Sequence, residues 1–333
     1  MKIQQVITDM RQVAGTTTFV ENVVRGLRLA GHEVAVTMSA SRLNKCDIIH
    51  IHGLWGGLLH KAAWFAKKNY IPVVWSTHGM TAPWAMRHKR WKKFPAWLLY
   101  QKRDLRQAAA IHCTTELEAE WNKALGFKNC FVAPLGTLLP QLHSPTLSQN
   151  RHHTLLFVGR IYPVKGLVNL IEAWALCNVK KWTLRIVGPD QADHQAELEA
   201  LVRELGLGDS VEFAGPKFDD ELSAEYDNCD CLVLPSFTEN FGATIVDALA
   251  HGKPCIASTF TPWRELQERG CGWWVSNEPG SLAKALQEMI DADDGKRLEM
   301  GLRGRKLAEE KYTWDAVVKK MVAGYEEVLN VRT

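Results

Sequence analysis

At 333 residues, with 46% hydrophobic and 23% charged side chains, the chain is too long for one ordinary core and too apolar for disorder. The net charge of +3 is too small to imply nucleic acid by itself, and no apolar run reaches the roughly 18 residues that would span a bilayer. The amino terminus, MKIQQVITDMRQ, lacks the apolar stretch and small-residue cleavage site of a secretory leader, so a cytoplasmic location is expected.

In chain order, residues 3–7 form an apolar run that opens the chain as a strand. Residues 19–29 carry Phe19, Val23 and Leu27 at helical spacing, with Gly31 as the stop signal. Residues 34–36 and 48–51 read as strands, 58–67 as a helix, 73–76 as a strand, 97–108 as a long helix and 110–113 as a further strand. Strands separated by helices predict a parallel sheet covered on both faces. Residues 137–153, rich in Pro, Ser, His and Asn and without periodicity, read as a linker. The alternation then restarts, with strands at 155–158, 182–187, 211–214, 231–234 and 255–257. Helices are predicted at 167–175, 196–205, 245–250, 281–292 and, as one long amphipathic element, 313–329. The expected architecture is two α/β halves, with boundaries at 1–145 plus the carboxyl-terminal helix 315–333, and at 150–314.

Eight cysteines (Cys46, Cys113, Cys130, Cys177, Cys229, Cys231, Cys255 and Cys271) are scattered, with no C-x-x-C pair and no histidine at metal-ligand spacing. Buried free thiols are expected, with Cys229 and Cys231 on one face of a strand, and no metal site.

Two turns carry the chemistry. Gly159, Arg160, Lys165 and Gly166 lie between a strand and a helix, where glycines let backbone approach a ligand and two cations suit a diphosphate. This is neither a Walker A loop nor a G-x-G-x-x-G fingerprint, which disfavours a nicotinamide oxidoreductase. Alone, the turn reads equally well as a solvated basic loop. The second turn, Pro235-Ser236-Phe237-Thr238-Glu239-Asn240-Phe241-Gly242, again follows a strand and leads into a helix that carries Asp247. Glu239 then sits at a strand's carboxyl end, where open α/β sheets bind ligands, and the amides after it open an anion-accepting helix start.

Gly159-Arg160 with Lys165-Gly166, then Pro235-Ser236, Glu239-x-Phe-Gly and an acid eight residues after Glu239, resemble the retaining glycosyltransferases of family 4. The resemblance runs over essentially the whole chain and implies the GT-B fold, two facing Rossmann-like domains with parallel sheets, the last helix crossing back onto the amino-terminal domain. It implies that Arg160 and Lys165 grip the donor diphosphate and that Glu239 bonds hydroxyls of the donor sugar. Asn240, Phe241 and Gly242 offer amides to sugar and phosphate, and Asp247 binds the ribose hydroxyls. Asp247 replaces the usual Glu and is shorter by about 1.5 Å, one carbon–carbon bond. Gly159 shapes the phosphate turn, and Gly215 and Pro216 are expected near the base. In the amino-terminal half the match is looser. Residues 14–17 (AGTT) occupy the glycine turn without the common Gly-Gly doublet, which places Gly15 near the donor phosphate. His78 resembles the histidine that contacts the donor sugar, and His52 and Trp55 are candidates to line an acceptor pocket.

The resemblance thus implies a retaining, metal-independent transfer from a nucleotide sugar, a UDP-sugar before a GDP-sugar, to a glycan or lipid-linked acceptor in lipopolysaccharide or exopolysaccharide synthesis. No cofactor is expected beyond the donor. A sugar-nucleotide epimerase of the same fold and a catalytically silent nucleotide-binding protein remain as alternatives. The stretch 84–106 interleaves Arg87, Lys89, Arg90, Lys92, Lys93, Lys102, Arg103 and Arg106 with Trp84, Trp91, Trp97 and Tyr100, against the single acid Asp104. Cations with amphipathic rings suit an anionic membrane surface; a solvated helix face with core tryptophans is the competing reading.

Overall fold

The computed structural model describes residues 1–10, 15–142 and 152–331. The chain divides into two compact units, Met1–Gly136 with Trp314–Thr333, and Thr137–Thr313. The positions 145 and 150, expected to bound the halves, lie outside the described residues, as does most of the proposed linker.

The first unit holds strands β1 (Lys2–Val6), β2 (Glu33–Thr37), β3 (Ile48–His52), β4 (Val73–Ser76), β5 (Ala110–Cys113) and β6 (Cys130–Val132). They pair in parallel in the order β2-β1-β3-β4-β5-β6. The runs of Ile and Val in β3 and β4 follow from burial on both faces. One core, around Phe19, Val23 and Leu27, is closed by Val318, Met321, Tyr325 and Val328 of the last helix, Trp314–Asn330. The other lies under the helices Gly57–Lys68 and Glu116–Ala124, around Trp75, Leu59 and Ile51.

The second unit repeats the design with β7 (His153–Val158), β8 (Trp182–Val187), β9 (Val211–Gly215), β10 (Cys231–Leu234), β11 (Cys255–Ser258) and β12 (Gly272–Val275). Their order is β12-β11-β10-β7-β8-β9, all parallel. Parallel pairing puts every carboxyl end on one edge of the sheet. The central position of β10 beside β7 brings the cationic turn and the acid-bearing turn side by side.

Several elements differ from expectation. Gly15 is not in a loop: it opens the helix Gly15–Leu29, and a Cβ there would meet nothing within 4 Å. Ala14 of the same motif lies outside the described residues. The helix expected at 97–108 begins earlier, running through Arg90–Ala96, Trp97–Gln101 and Lys102–Gln107. Pro95 sits inside it and removes a backbone donor. Just beyond, the turn widens so that the Lys102 amide bonds back five residues to Trp97 O. Cys229 ends the helix Asp219–Asn228 instead of lying on β10 with Cys231. All eight cysteines are free thiols.

Candidate functional site

In the second unit, neighbouring strands about 4.8 Å apart set a row of loops along one sheet edge. In order, these are Pro235–Gly242 after β10, Gly159–Gly166 after β7, Gly188 after β8, and Pro216 following Gly215, the last residue of β9. Backbone contacts lock the row. The Phe237 amide donates to Val164 O at 2.8 Å, the Gly159 amide to Val187 O at 3.0 Å, and the Gly188 amide to Gly215 O at 2.9 Å. Two glycines are sterically required. At Gly166 the backbone is left-handed, and a Cβ would lie 2.2 Å from Pro235 O; at Gly188 it would lie 1.8 Å from Gly159 O. Gly188 escapes a reading that looks for cationic or acidic turns, because its only signal is a lone glycine after an apolar strand.

Lys165 and Glu239 meet at 2.6 Å, Nζ to Oε2, each side chain less than one-fifth exposed. This pair joins the cationic turn to the acid-bearing one. Ser236 donates its hydroxyl to the same carboxylate oxygen at 3.3 Å, while Ser258 Oγ donates to Ser236 O. Arg160 is exposed and gives Nη1 to Gln191 Oε1 at 2.8 Å, so it borders the turn from the β8 side. Phe241 is buried edge-on against Trp263, whose indole N–H donates to Phe241 O, which pins the backbone from Asn240 to Gly242. Gly242 precedes the helix Ala243–Ala250, whose amino end carries partial positive charge. Asp247, on that helix, accepts the Thr137 hydroxyl at 2.7 Å. Burial pushes its carboxyl up to about 6, the Thr137 bond working against the shift.

In the first unit, one face of the sheet is polar and buried. Register pairs Gln5 with His50, His52 with Ser76, and Ser76 with His112, so all five side chains share that face. His112 Nε2 lies 2.8 Å from Ala133 O, an acceptor only, so Nε2 carries the proton and Nδ1 accepts from Ser76 Oγ at 2.6 Å. Ser76 has then spent its one proton. His50 must donate Nε2–H to it at 2.6 Å, and Nδ1 of His50 accepts from the Tyr325 hydroxyl at 2.6 Å. Gln5 consequently turns its amide NH2 to Tyr325 at 3.2 Å and its carbonyl oxygen to His52 Nε2–H at 2.6 Å. His52 Nδ1 is left to accept from His78 Nε2–H at 3.1 Å. Burial holds all four rings below the ordinary histidine range, His78 at about 4, with the Glu118 carboxylate opposing the shift and the nearby His112 ring adding to it. The chain therefore fixes a neutral His78 that presents Nδ1 as an acceptor.

His78, half-buried after β4, sits in left-handed backbone at φ 48°. Such backbone is costly for a non-glycine and persists where the surroundings enforce it. Glu118 is the enforcer. Fully buried, it accepts Gly79 N at 2.5 Å, Thr77 Oγ1 at 2.7 Å, and Thr114 N and Oγ1 at 2.7 and 2.9 Å. Burial opposes its charge, yet these bonds hold its carboxyl below the usual range. His52, expected to line a pocket, is instead 2% exposed, with both ring nitrogens engaged by Gln5 and His78. Sequence reasoning misses Glu118, which looks like the acid of a capping box begun at Thr115. The signal for the histidine face was the alternation Ile-His-Ile-His in β3.

The remaining expected residues cluster on the surface of the first unit. Trp84, Arg90, Trp91 and Lys92 are exposed, while Lys93 is half-buried with Nζ donating to Ala85 O at 2.6 Å. Trp55 lies behind them, its amide bonded to Gln101 and its carbonyl to the Tyr100 hydroxyl. One His–Asp–Asp cluster exists among the described residues: His153, Asp230 and Asp294, ligand atoms within 4.8 Å. It sits at the amino end of β7, away from the turn edge, and Arg297 and the Thr154 amide already occupy its carboxylates.

Residues 140–307 match the family described as Glycosyl transferases group 1, and residues 37–136 the Glycosyl transferase 4-like domain. An uncharacterized glycosyltransferase of Methanocaldococcus jannaschii is 31% identical over 180 residues, 54% of this chain and 46% of its own length. The chain therefore spans less than half of that relative. The MMP alpha-(1->4)-mannosyltransferase of Mycolicibacterium hassiacum is 26% identical over 314 residues, 89% of this chain and 74% of the relative. Among solved structures, sucrose-phosphate synthase from Thermosynechococcus elongatus superposes with a TM-score of 0.80 at 20% identity over 99% of each chain. Anabaena HepE in complex with UDP gives 0.79 at 18%, over 98% of this chain and 100% of its own. WaaG, a glycosyltransferase involved in lipopolysaccharide biosynthesis, gives 0.67 at 15%, over 97% and 98%. At such identities the structures attest the GT-B fold.

Proposed function

We propose, from the premise that this chain belongs to the glycosyl transferases of group 1 with a GT-B fold of the family-4 type, that it moves a sugar from a nucleoside diphosphate to a hydroxyl acceptor with retention of anomeric configuration. The observation that carries the reading is the 2.6 Å contact between Lys165 and Glu239, because it brings a cation and a sugar-binding acid from two strand-end turns to one point. A diphosphate laid there meets Lys165 as a point charge and Arg160 as a fork, with the amides of Asn240, Phe241 and Gly242 beside it. Leaving-group charge is then neutralised by groups fixed before the reaction, and such fixed groups supply most of the rate enhancement in many enzymes. Glu239 takes sugar hydroxyls, Asp247 the ribose, and Gly215 with Pro216 borders the base. The acceptor side of His78 meets a substrate hydroxyl.

UDP is the favoured nucleotide, and the complex of HepE with that nucleotide is consistent with it. The reaction uses no metal, the two cations filling that role. The acceptor is a glycan or lipid-linked glycan of polysaccharide assembly, and the segment 84–106 rests on an anionic membrane surface. No helix among the described residues is long and apolar enough to cross a membrane.

A thermal-shift screen of UDP- and GDP-sugars tests the donor, since a ligand at a hundred times its Kd stabilises the folded state by about 2.7 kcal/mol. The best donor is then supplied with glycan and glycolipid acceptors, and the anomeric configuration of the product is read by NMR. An inverted product sinks the retaining mechanism. Turnover of the nucleotide sugar without any acceptor, giving an isomerised sugar, sinks the transferase reading.

A further inference from the structure

We infer that an apolar groove in the first unit seats one acyl chain of an anionic membrane phospholipid, with Arg87, Arg90 and Lys93 holding the headgroup phosphate at its mouth. This rests on the proposal that the 84–106 segment lies on a membrane, and it names what that surface takes up.

The groove has a volume of about 390 Å³ and is walled by Trp55, Trp97, Trp121, Phe94, Met86 and Leu125. At about 30 Å³ for each group of water size, it holds on the order of ten methylenes. Thr81 is the one neutral hydroxyl or amide side chain on its wall, and that residue is itself buried. A glycan needs convergent hydrogen-bond partners for its hydroxyls, and such a wall does not supply them. A hydrocarbon chain needs none.

The charge at the mouth selects the head. Arg87, Arg90 and Lys93 line the same groove. The sequence contains no Asp or Glu between Asp47 and Asp104, and among the described residues none of these three cations has a carboxylate within 4.0 Å. Lys93 donates to Ala85 O and lies 6.0 Å from the Trp55 ring, its stem along the apolar wall. Burial pushes its pKa down, and the like charge of neighbouring Lys89 adds to the shift. A phosphate at this point supplies the missing counter-charge.

The flank says where the chain comes from. Trp91, Leu98 and Leu99 are 74%, 63% and 74% exposed on the helix that borders the groove, and Trp84 is 47% exposed on the short helix before it. Exposed large apolar residues beside unpaired cations are the composition of an element lying at the headgroup boundary. A chain then passes from bilayer to groove without crossing water, so a bilayer phospholipid is favoured over a free amphiphile.

The test uses the full chain with phosphatidylcholine vesicles that contain or lack phosphatidylglycerol. Three cations at about a factor of five each predict roughly hundred-fold stronger partitioning into the anionic vesicles. The exposed double change Arg87→Gln with Arg90→Gln should remove about twenty-five-fold of that. Chain entry is read separately, in a Trp84→Phe, Trp91→Phe background, by fluorescence quenching from phosphatidylglycerol brominated midway along one chain. Quenching of the groove tryptophans is expected, as is its loss in Ala124→Phe, a plug at an exposed wall position, with sedimentation unchanged. Quenching absent while anionic sedimentation persists overturns the groove but leaves the membrane contact standing. Equal quenching by brominated phosphatidylcholine overturns the selection of an anionic lipid by the three cations. Equal partitioning into both vesicle types overturns the membrane reading itself.

Discussion

Replacing Gly166 by Ala separates the two turns at their closest approach. Its φ of +72° costs an L-residue about 1–2 kcal/mol. The added Cβ would also lie 2.2 Å from Pro235 O, where ordinary contact begins near 3.4 Å, so the Pro235–Gly242 turn must retreat by about 1 Å. A displacement of that size at a reacting centre costs on the order of a hundred-fold in rate. The control is Gly206→Ala, which has a similar φ of +68° but nothing within 4 Å of the new Cβ. Urea unfolding should show the left-handed backbone penalty in both variants and a larger loss in Gly166→Ala, where the backbone contact with Pro235 must also give. Only Gly166→Ala should lose about a hundred-fold in kcat/KM, followed by nucleoside diphosphate release from the best donor. Should Gly166→Ala retain kcat/KM within about two-fold of Gly206→Ala, the contact between the turns has no part in the chemistry.

Asp247 gives a pH dependence. Its folded pKa of about 6 lies above the ordinary 3.8, so the stability gained from its neutral form is present below about 3.8 and lost as pH rises through about 6. Asp247→Asn should therefore match the parent at pH 4 and exceed it at pH 7.5 by on the order of 2 kcal/mol in urea unfolding. If ribose hydroxyls donate to the carboxylate, UDP affinity should rise through pH 6 in the parent more steeply than in Asp247→Asn; parallel curves would remove the ribose role. For the histidine chain, long-range nitrogen–proton NMR of labelled histidine should show His78 as the neutral Nε2–H tautomer between about pH 5.5 and 8. Gln5→Leu should release that preference, and a cationic or Nδ1–H ring in the parent would break the derivation. Activity should survive EDTA, and a loss restored by manganese would refute the metal-free mechanism.

Much of the fold was legible because parallel strands buried on both faces read as unbroken Ile, Val and Leu runs. β6 was not: three half-buried residues, Cys130–Val132, carry no period. β12 is Gly-Trp-Trp-Val with every position only partly buried, so neither an apolar run nor an alternation marks it. The helix Asp294–Lys311 hides because its buried stripe is Arg297, Met300, Gly301, Gly304, Leu307 and Ala308. Close packing, not hydrophobicity, chose its glycines, since a Cβ on Gly301 would lie 1.8 Å from Gly252 O. At the site, the charged turns were readable from residue type and position. Glu118 and the His50–His112 face were not, since their meaning comes from partners distant in sequence. His52 misled for the same reason, its strand-end position suggesting exposure that Gln5 and His78 deny it.

Calorimetry with UDP and UMP on the parent and on Lys165→Ala asks the most direct question. If both turns hold one pyrophosphate, the parent should prefer UDP by roughly ten-fold or more, as charge-assisted hydrogen bonds provide, and Lys165→Ala should lose most of that preference, keeping only what Arg160 and the amides supply. An undiminished preference for UDP in Lys165→Ala would place the second phosphate elsewhere and contradict the account.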